Sequence, residues 1–458
     1  MRLRRIAFAG VAAALVATAF VLLRELRVAT GYAAKVLCSG VFVAGRSQES
    51  LLAEDLDWFW WLRSRIDRGE RTATSDWLGL MPSTAVYRHG LGCALAVGAS
   101  IAELRAQGFD PASAPDRSGL PWPDGDRVAD PTPAGVDRAP LDAAVADAFA
   151  EPEPEIHRRT RAVIVLHSGR LVAERYAAGF DQKTPLLGWS MTKSVIATLI
   201  GIQALRGQLD PDGRAPVSAW AGDERAAITL DQLLRMTSGL GFKERNGAFG
   251  DSAPMLFRSR SAAAYAARSP LAHAPGTFWS YSSGTSNLLA GILRASLPGG
   301  SGVYHRFPRE ALFDRIGMRS AVLETDAAGD FVGSSFCYAT ARDWARFGLL
   351  HAQDGVWQGE RLLPEGWVEA VRRPTPPAPQ GSYGAHWWLN AGEPGAPNDR
   401  PYPSLPTDLF YASGYEGQFV VVLPSQDLVV VRLGQSEPEQ AFDLEAFLRA
   451  VLGAFRPE

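Results

Sequence analysis

The chain has 458 residues, 47% hydrophobic and 21% charged, with a formal net charge of −3. That length supports a large core and more than one folding unit. The near-neutral balance leaves no electrostatic footprint for nucleic acid, which is excluded as a partner.

At the N-terminus Arg2, Arg4 and Arg5 precede an uncharged stretch, residues 6–23. Such a stretch is just long enough to span a hydrocarbon core. Basic residues ahead of it place the N-terminus in the cytoplasm and send the rest outward. Arg24, Glu25 and Arg27 follow with no clean cleavage site. Residues 1–34 therefore read as an N-terminal transmembrane signal anchor in the bacterial inner membrane, with the remainder in the periplasm. Cleavage of that segment would instead give a secreted protein. Residues 35–110 form an accessory region with an aromatic cluster at Trp58, Phe59, Trp60 and Trp61. It could brace the following domain or cover its cleft. Of three cysteines, Cys38 and Cys93 share this region and are the expected disulfide in an exported chain, leaving Cys337 over. No Cys/His spacing suggests a metal site. Residues 111–154, with seven prolines between Pro111 and Pro140, read as a linker or extended strap.

Residues 155–458 carry the main domain. Residues 162–167 and 171–176 read as strands around the Ser168-Gly169 turn. An apolar run after Ser190 predicts a buried central helix. Residues 205–350 read as mostly helical, with Thr229 and Thr340 as caps. Two apolar strands, 419–423 and 428–433, precede a final helix over about 439–455. Strands at both ends with helices between them predict an α+β domain: an antiparallel β-sheet flanked by helices, with an inserted helical subdomain.

Ser190-Met191-Thr192-Lys193 carries the chemistry. On a helix, Ser190 and Lys193 share one face three residues apart. A lysine kept neutral by desolvation can take the proton of a serine hydroxyl and make it a nucleophile. A second proton-handling group is needed for the leaving atom, and Tyr281 is the candidate, its pKa open to lowering by a lysine ammonium. Ser283 could hydrogen-bond the lysine or the substrate. The N–H of Ser190 is one oxyanion donor, and the glycine-containing segment 411–418 is the source of a second. A histidine triad is disfavoured, because Gly188-Trp189-Ser190-Met191-Thr192 lacks the closing glycine of a nucleophile elbow.

These motifs resemble the serine β-lactamase and penicillin-binding-protein superfamily in its class C-like branch, over about residues 155–455. The first motif is Ser190 to Lys193. The segment 228–240 (ITLDQLLRMTSGL) is very similar to the stretch such proteins carry next. Tyr281-Ser282-Ser283 sits where the branch has Tyr-x-Asn, and residues 340–350 continue the likeness. The resemblance implies acyl transfer through a serine ester, with Ser190 as nucleophile, Lys193 as base, Tyr281 as acid/base, and the backbone N–H groups of Ser190 and Tyr415 as oxyanion donors. It implies no metal or organic cofactor. Trp189, Ser413, Gly414 and Trp387 are the candidates for lining the substrate site, although adjacent Trp387 and Trp388 more often read as core.

Two departures narrow the substrate. The third motif usually opens with lysine or histidine, which helps bind a substrate carboxylate. Ala412-Ser413-Gly414 stands there, and no lysine follows Lys243. Ser283 replaces the asparagine. Both features are similar to the branch of 6-aminohexanoate-dimer hydrolases and carboxylesterases. The expected function is an exported hydrolase of a small ester or amide. The alternatives are a penicillin-recognising DD-carboxypeptidase or weak β-lactamase, and an inert membrane-tethered binding protein.

Overall fold

The computed structural model describes residues 2–111, 117–128, 135–151, 153–245, 247 and 249–455, with side chains described from Thr18 onward. Helix α1 runs Arg2–Phe42, straight through the expected boundary at residue 34. Arg24, Glu25 and Arg27 do not end it, because arginine and glutamate are good helix formers. Most of the expected membrane span lies outside the residues whose side chains are described. Among the described residues no helix is long and apolar enough to cross a membrane.

From Leu26 onward α1 is packed into protein. It lies on a four-stranded antiparallel sheet, β1 (Arg63–Asp67), β2 (Thr72–Trp77), β3 (Leu80–Arg88) and β4 (Gly92–Leu95), paired in chain order. The Cys38–Cys93 disulfide joins α1 to β4. Lys35 pairs with the fully buried Glu324, which also accepts from Ser39 Oγ at 2.9 Å and from the Cys93 N–H at 2.6 Å. One carboxylate thus ties α1, β4 and the main domain together.

The described residues of the expected linker are packed against the main domain or helical. Arg346 donates to the Pro123 and Gly125 carbonyls, so residues 121–127 are a seated strap. Helix α2 (Arg138–Asp147) follows, with Pro140 in its first turn, where a missing N–H costs nothing.

The main sheet has six antiparallel strands. They are β5 (Thr160–His167), β6 (Arg170–Tyr176), β7 (Trp388–Leu389), β8 (Phe410–Gly414), β9 (Gln418–Leu423) and β10 (Leu428–Gly434). Their order is β7-β8-β9-β10-β5-β6, so the last strand in sequence pairs with the first, Val430 opposite Val165. Both faces are covered. Ile164, Leu166, Val420, Val422, Val429 and Val431 face the main core. Val163, Val165, Val421 and Val430 face α2 and α7 (Leu444–Leu452). Strict alternation of buried side chains is what a two-sided sheet requires.

On the main-core face lie α3 (Met191–Leu205), α4 (Ser252–Arg258), α5 (Ser283–Ala295) and α6 (Ala341–Ala352). Helix α3 is buried from Met191 to Gln203, as its all-round apolarity predicts. Helix α6 meets the sheet at Gly348, where a Cβ would stand 2.5 Å from the Val429 side chain. Only glycine permits that approach. The predicted final helix starts later than expected, at Leu444, because Asp443 caps it by accepting the Ala446 N–H.

Candidate active site

Ser190 stands at the start of α3, after a turn held on both sides. The Gly188 N–H donates to the Cys337 carbonyl at 2.9 Å, and the Cys337 N–H donates to Thr192 Oγ1 at 3.0 Å. Trp189 takes a left-handed φ of 45°, a conformation that a bulky residue keeps only when its surroundings impose it. Its indole is caged by Tyr32, Phe336 and Tyr415, and its Nε1–H donates to Glu416 at 3.4 Å.

Lys193 lies one turn on and is 2% exposed. Its Nζ is 2.9 Å from Ser190 Oγ, 3.2 Å from Ser283 Oγ and 2.9 Å from the Ser334 carbonyl. Burial lowers its pKa to about 8, while the charge of Glu244 opposes the shift. Glu244 accepts from the Ser283 hydroxyl at 2.6 Å and from its backbone N–H at 2.7 Å. The Ser283 oxygen is thereby turned to accept from Lys193. A neutral amine can then spend its two N–H bonds on Ser334 and Ser283 and aim its lone pair at the Ser190 hydroxyl.

Tyr281 closes the group. Its ring centroid is 4.9 Å from Lys193 Nζ, and Ser190 is close enough to lower its pKa. The expected lowering of its pKa is not found. Burial pushes it well above the usual phenol value, outweighing the lowering influence of Ser190. The phenol therefore holds its proton.

Strand β8 forms the opposite wall. Gly414 lies so close to the nucleophile turn that a Cβ there would stand 2.2 Å from the Gly188 carbonyl oxygen. That contact brings Ser413, Gly414 and Tyr415 to the cavity beside Ser190. Neither the Ser190 nor the Tyr415 N–H has a backbone acceptor among the described residues.

The cavity encloses about 760 Å³ and is lined by Trp189, Ser190, Tyr281, Ser283, Ser413, Gly414 and Tyr415 together. Trp387 is a correction. It is 1% exposed and stacks on Phe347 in the core, whereas its neighbour Trp388 faces the cavity beside Tyr281. Trp387 directly precedes β7 and its extended neighbour Trp388 points the other way, so only one of the pair reaches the cavity. Sequence reasoning missed Glu244, the Ser334 carbonyl and Tyr32 of α1, while Trp58 and Phe59, of the region read as able to brace the domain or cover its cleft, also line the cavity. The three missed groups carry no local signal, since each reaches the site from a distant part of the chain. His386 makes no hydrogen bond to Ser190, Lys193 or Tyr281: it is buried between Ser286 and the Leu234 carbonyl, with its pKa lowered to about 4, chiefly by desolvation.

The sequence pattern of the family described as "Beta-lactamase" matches residues 142–454. The chain belongs to the beta-lactamase family. Within it, the chain is similar to a 6-aminohexanoate-dimer hydrolase of Paenarthrobacter ureafaciens. The two are 26% identical over 321 residues, 63% of this chain and 76% of the relative. Its fold is shared with a family VIII carboxylesterase, at TM-score 0.53 and 16% identity over 72% of this chain and 99% of that one. It is shared equally with a penicillin-binding protein from Bacillus halodurans, at TM-score 0.51 and 16% identity over 69% and 100% of the two chains. Family membership makes the protein a serine hydrolase. A fold common to an esterase and a penicillin-binding protein does not select the substrate.

Proposed function

We propose that this serine hydrolase cleaves a small ester or amide through an acyl-enzyme on Ser190. One observation carries the reading: a buried amine 2.9 Å from the Ser190 hydroxyl, with its other contacts already satisfied by Ser283 and Ser334. Lys193 takes the hydroxyl proton as Ser190 Oγ adds to the carbonyl carbon. The developing oxyanion is met by the N–H groups of Ser190 and Tyr415. As the carbonyl re-forms, the bond to the leaving group breaks and that atom takes the Tyr281 phenol proton. The Lys193 ammonium returns a proton to Tyr281. Water then attacks the ester, one of its protons goes to the Tyr281–Lys193 pair, and Ser190 Oγ leaves with a proton from the same pair.

The cavity argues against substrates recognised through a carboxylate. Among the described residues, seven that line it are Asp or Glu, and none is Lys, Arg or His. This weighs against the penicillin and D-alanyl peptide readings. The Cys38–Cys93 bond supports an oxidising compartment. With the basic N-terminus and the uncharged residues 6–23, it supports export with α1 as a periplasm-facing anchor.

A fluorophosphonate probe tests the reaction. Mass spectrometry should find the adduct on Ser190, with no labelling of Ser190→Ala. Equal turnover by that variant, or an unlabelled wild-type protein, refutes the proposal.

A further inference from the structure

We propose that the N-terminal region supplies the specificity wall of this site, with Tyr32 and Phe59 holding an uncharged aromatic or branched apolar group of the substrate. The inference rests on the Ser190 reading above. Both residues lie outside residues 142–454, the part that matches the family, yet they line the same cavity as Ser190. The wall is therefore an addition of this chain to the common catalytic fold.

Its chemistry is aromatic. The Tyr32 ring lies 5.3 Å from Phe59, 5.4 Å from Phe257 and 6.2 Å from Trp189, which adjoins the nucleophile. These centroid spacings, in tilted, edge-on and stacked arrangements, are those of packed aromatic clusters. A substrate ring or branched chain entering beside them would lose its water to apolar surface. The carboxylates elsewhere on the lining disfavour a negative charge on that group.

The wall is also fixed in place. One helical turn beyond Tyr32, Lys35 is held by Glu324, and Cys38 is bonded to Cys93. On the Phe59 side, Asp55 is gripped by Arg46 and Arg161, and Asp57 by Arg159 at 3.0 Å. The Trp58 indole N–H reaches across to Glu437, on the loop after β10. Residues anchored at so many points act as a preformed surface, so their binding contribution is not spent on ordering them.

Three esters test this on the full-length protein: ethyl acetate, ethyl 3-phenylpropanoate and 2-phenylethyl acetate, followed by acid release. The wild-type protein should favour at least one phenyl ester over ethyl acetate by about tenfold or more in kcat/KM, the worth of burying part of a ring. Tyr32→Ala and Phe59→Ala should each cut that ratio by about tenfold, while Tyr32→Phe keeps it. No phenyl preference in the wild-type protein, or an unchanged ratio in both alanine variants, overturns the proposal. Absence of turnover on all three esters together with no fluorophosphonate label on Ser190 would instead refute the hydrolase reading itself.

Discussion

The proton affinity of Lys193 governs how the rate should vary with pH. An ordinary lysine titrates near ~10.4, whereas burial brings this one to about 8. At pH 7 about a tenth of the molecules then carry the neutral amine, against roughly 0.04% for an unperturbed side chain. The difference is worth about 3 kcal/mol of base availability at neutral pH. Because the base works in its neutral form, kcat/KM should rise as pH rises. The expected gain is about tenfold between pH 7 and pH 9, levelling beyond. Initial rates on an activated ester from pH 6 to pH 10 give the profile. Glu416, on the turn facing Trp189, is pushed up to about 7 by burial. Glu416→Gln separates its titration from the Lys193 limb, which should stay in place. A plateau already reached at pH 7, or a rise continuing past pH 10, refutes a desolvated lysine base. The same proton links to stability. The unfolded chain holds it up to about pH 10.4 while the folded chain has released it, so stability should increase with pH between about 8 and 10.4.

Glu244→Gln removes the negative charge that favours the Lys193 ammonium, so the alkaline limb should move to lower pH; an unmoved limb would show that the two groups are not coupled. Gly414→Ala forces β8 away from the nucleophile turn and displaces the Tyr415 N–H. Its kcat/KM should fall about 10²- to 10³-fold, as expected for loss of an oxyanion donor, and a loss under threefold would remove Tyr415 from that role. Cys38→Ser opens a link between residues 55 apart in sequence. Denaturant unfolding should show a loss of about 4 kcal/mol by the chain-entropy relation, and an unchanged midpoint would contradict the bond's structural role.

The parts of the site that were readable in the sequence are the local ones. Ser190 and Lys193 are one helical turn apart, so spacing alone puts them on the same face. Four of the six main-sheet strands, β5, β6, β9 and β10, declared themselves by apolar runs beside turn residues, whereas β7 and β8 did not, and Cys38 and Cys93 declared themselves by sharing one region. What escaped depends on distance or on competing terms. Glu244 reaches Ser283 from 39 residues away, a pairing that only the tertiary fold creates. Trp388 opens a two-residue strand and Trp387 lies just before it, too short a run for alternation to reveal which side chain faces in. The Tyr281 pKa was expected to fall because a lysine is near, but desolvation is the larger influence. The reach of α1 past its charged turn was hidden because a helix that changes partners keeps the same backbone pattern.

The pairing of β10 with β5 has a consequence for biosynthesis. Thr160–His167 leaves the ribosome long before Leu428–Gly434, yet these neighbours must zip together. Until they do, the valine-rich edge of the earlier strand has no partner and is open to wrong associations. Nascent chains stalled ahead of residue 428 should therefore be protease-sensitive and dependent on a holding chaperone, whatever the fate of the helices already made.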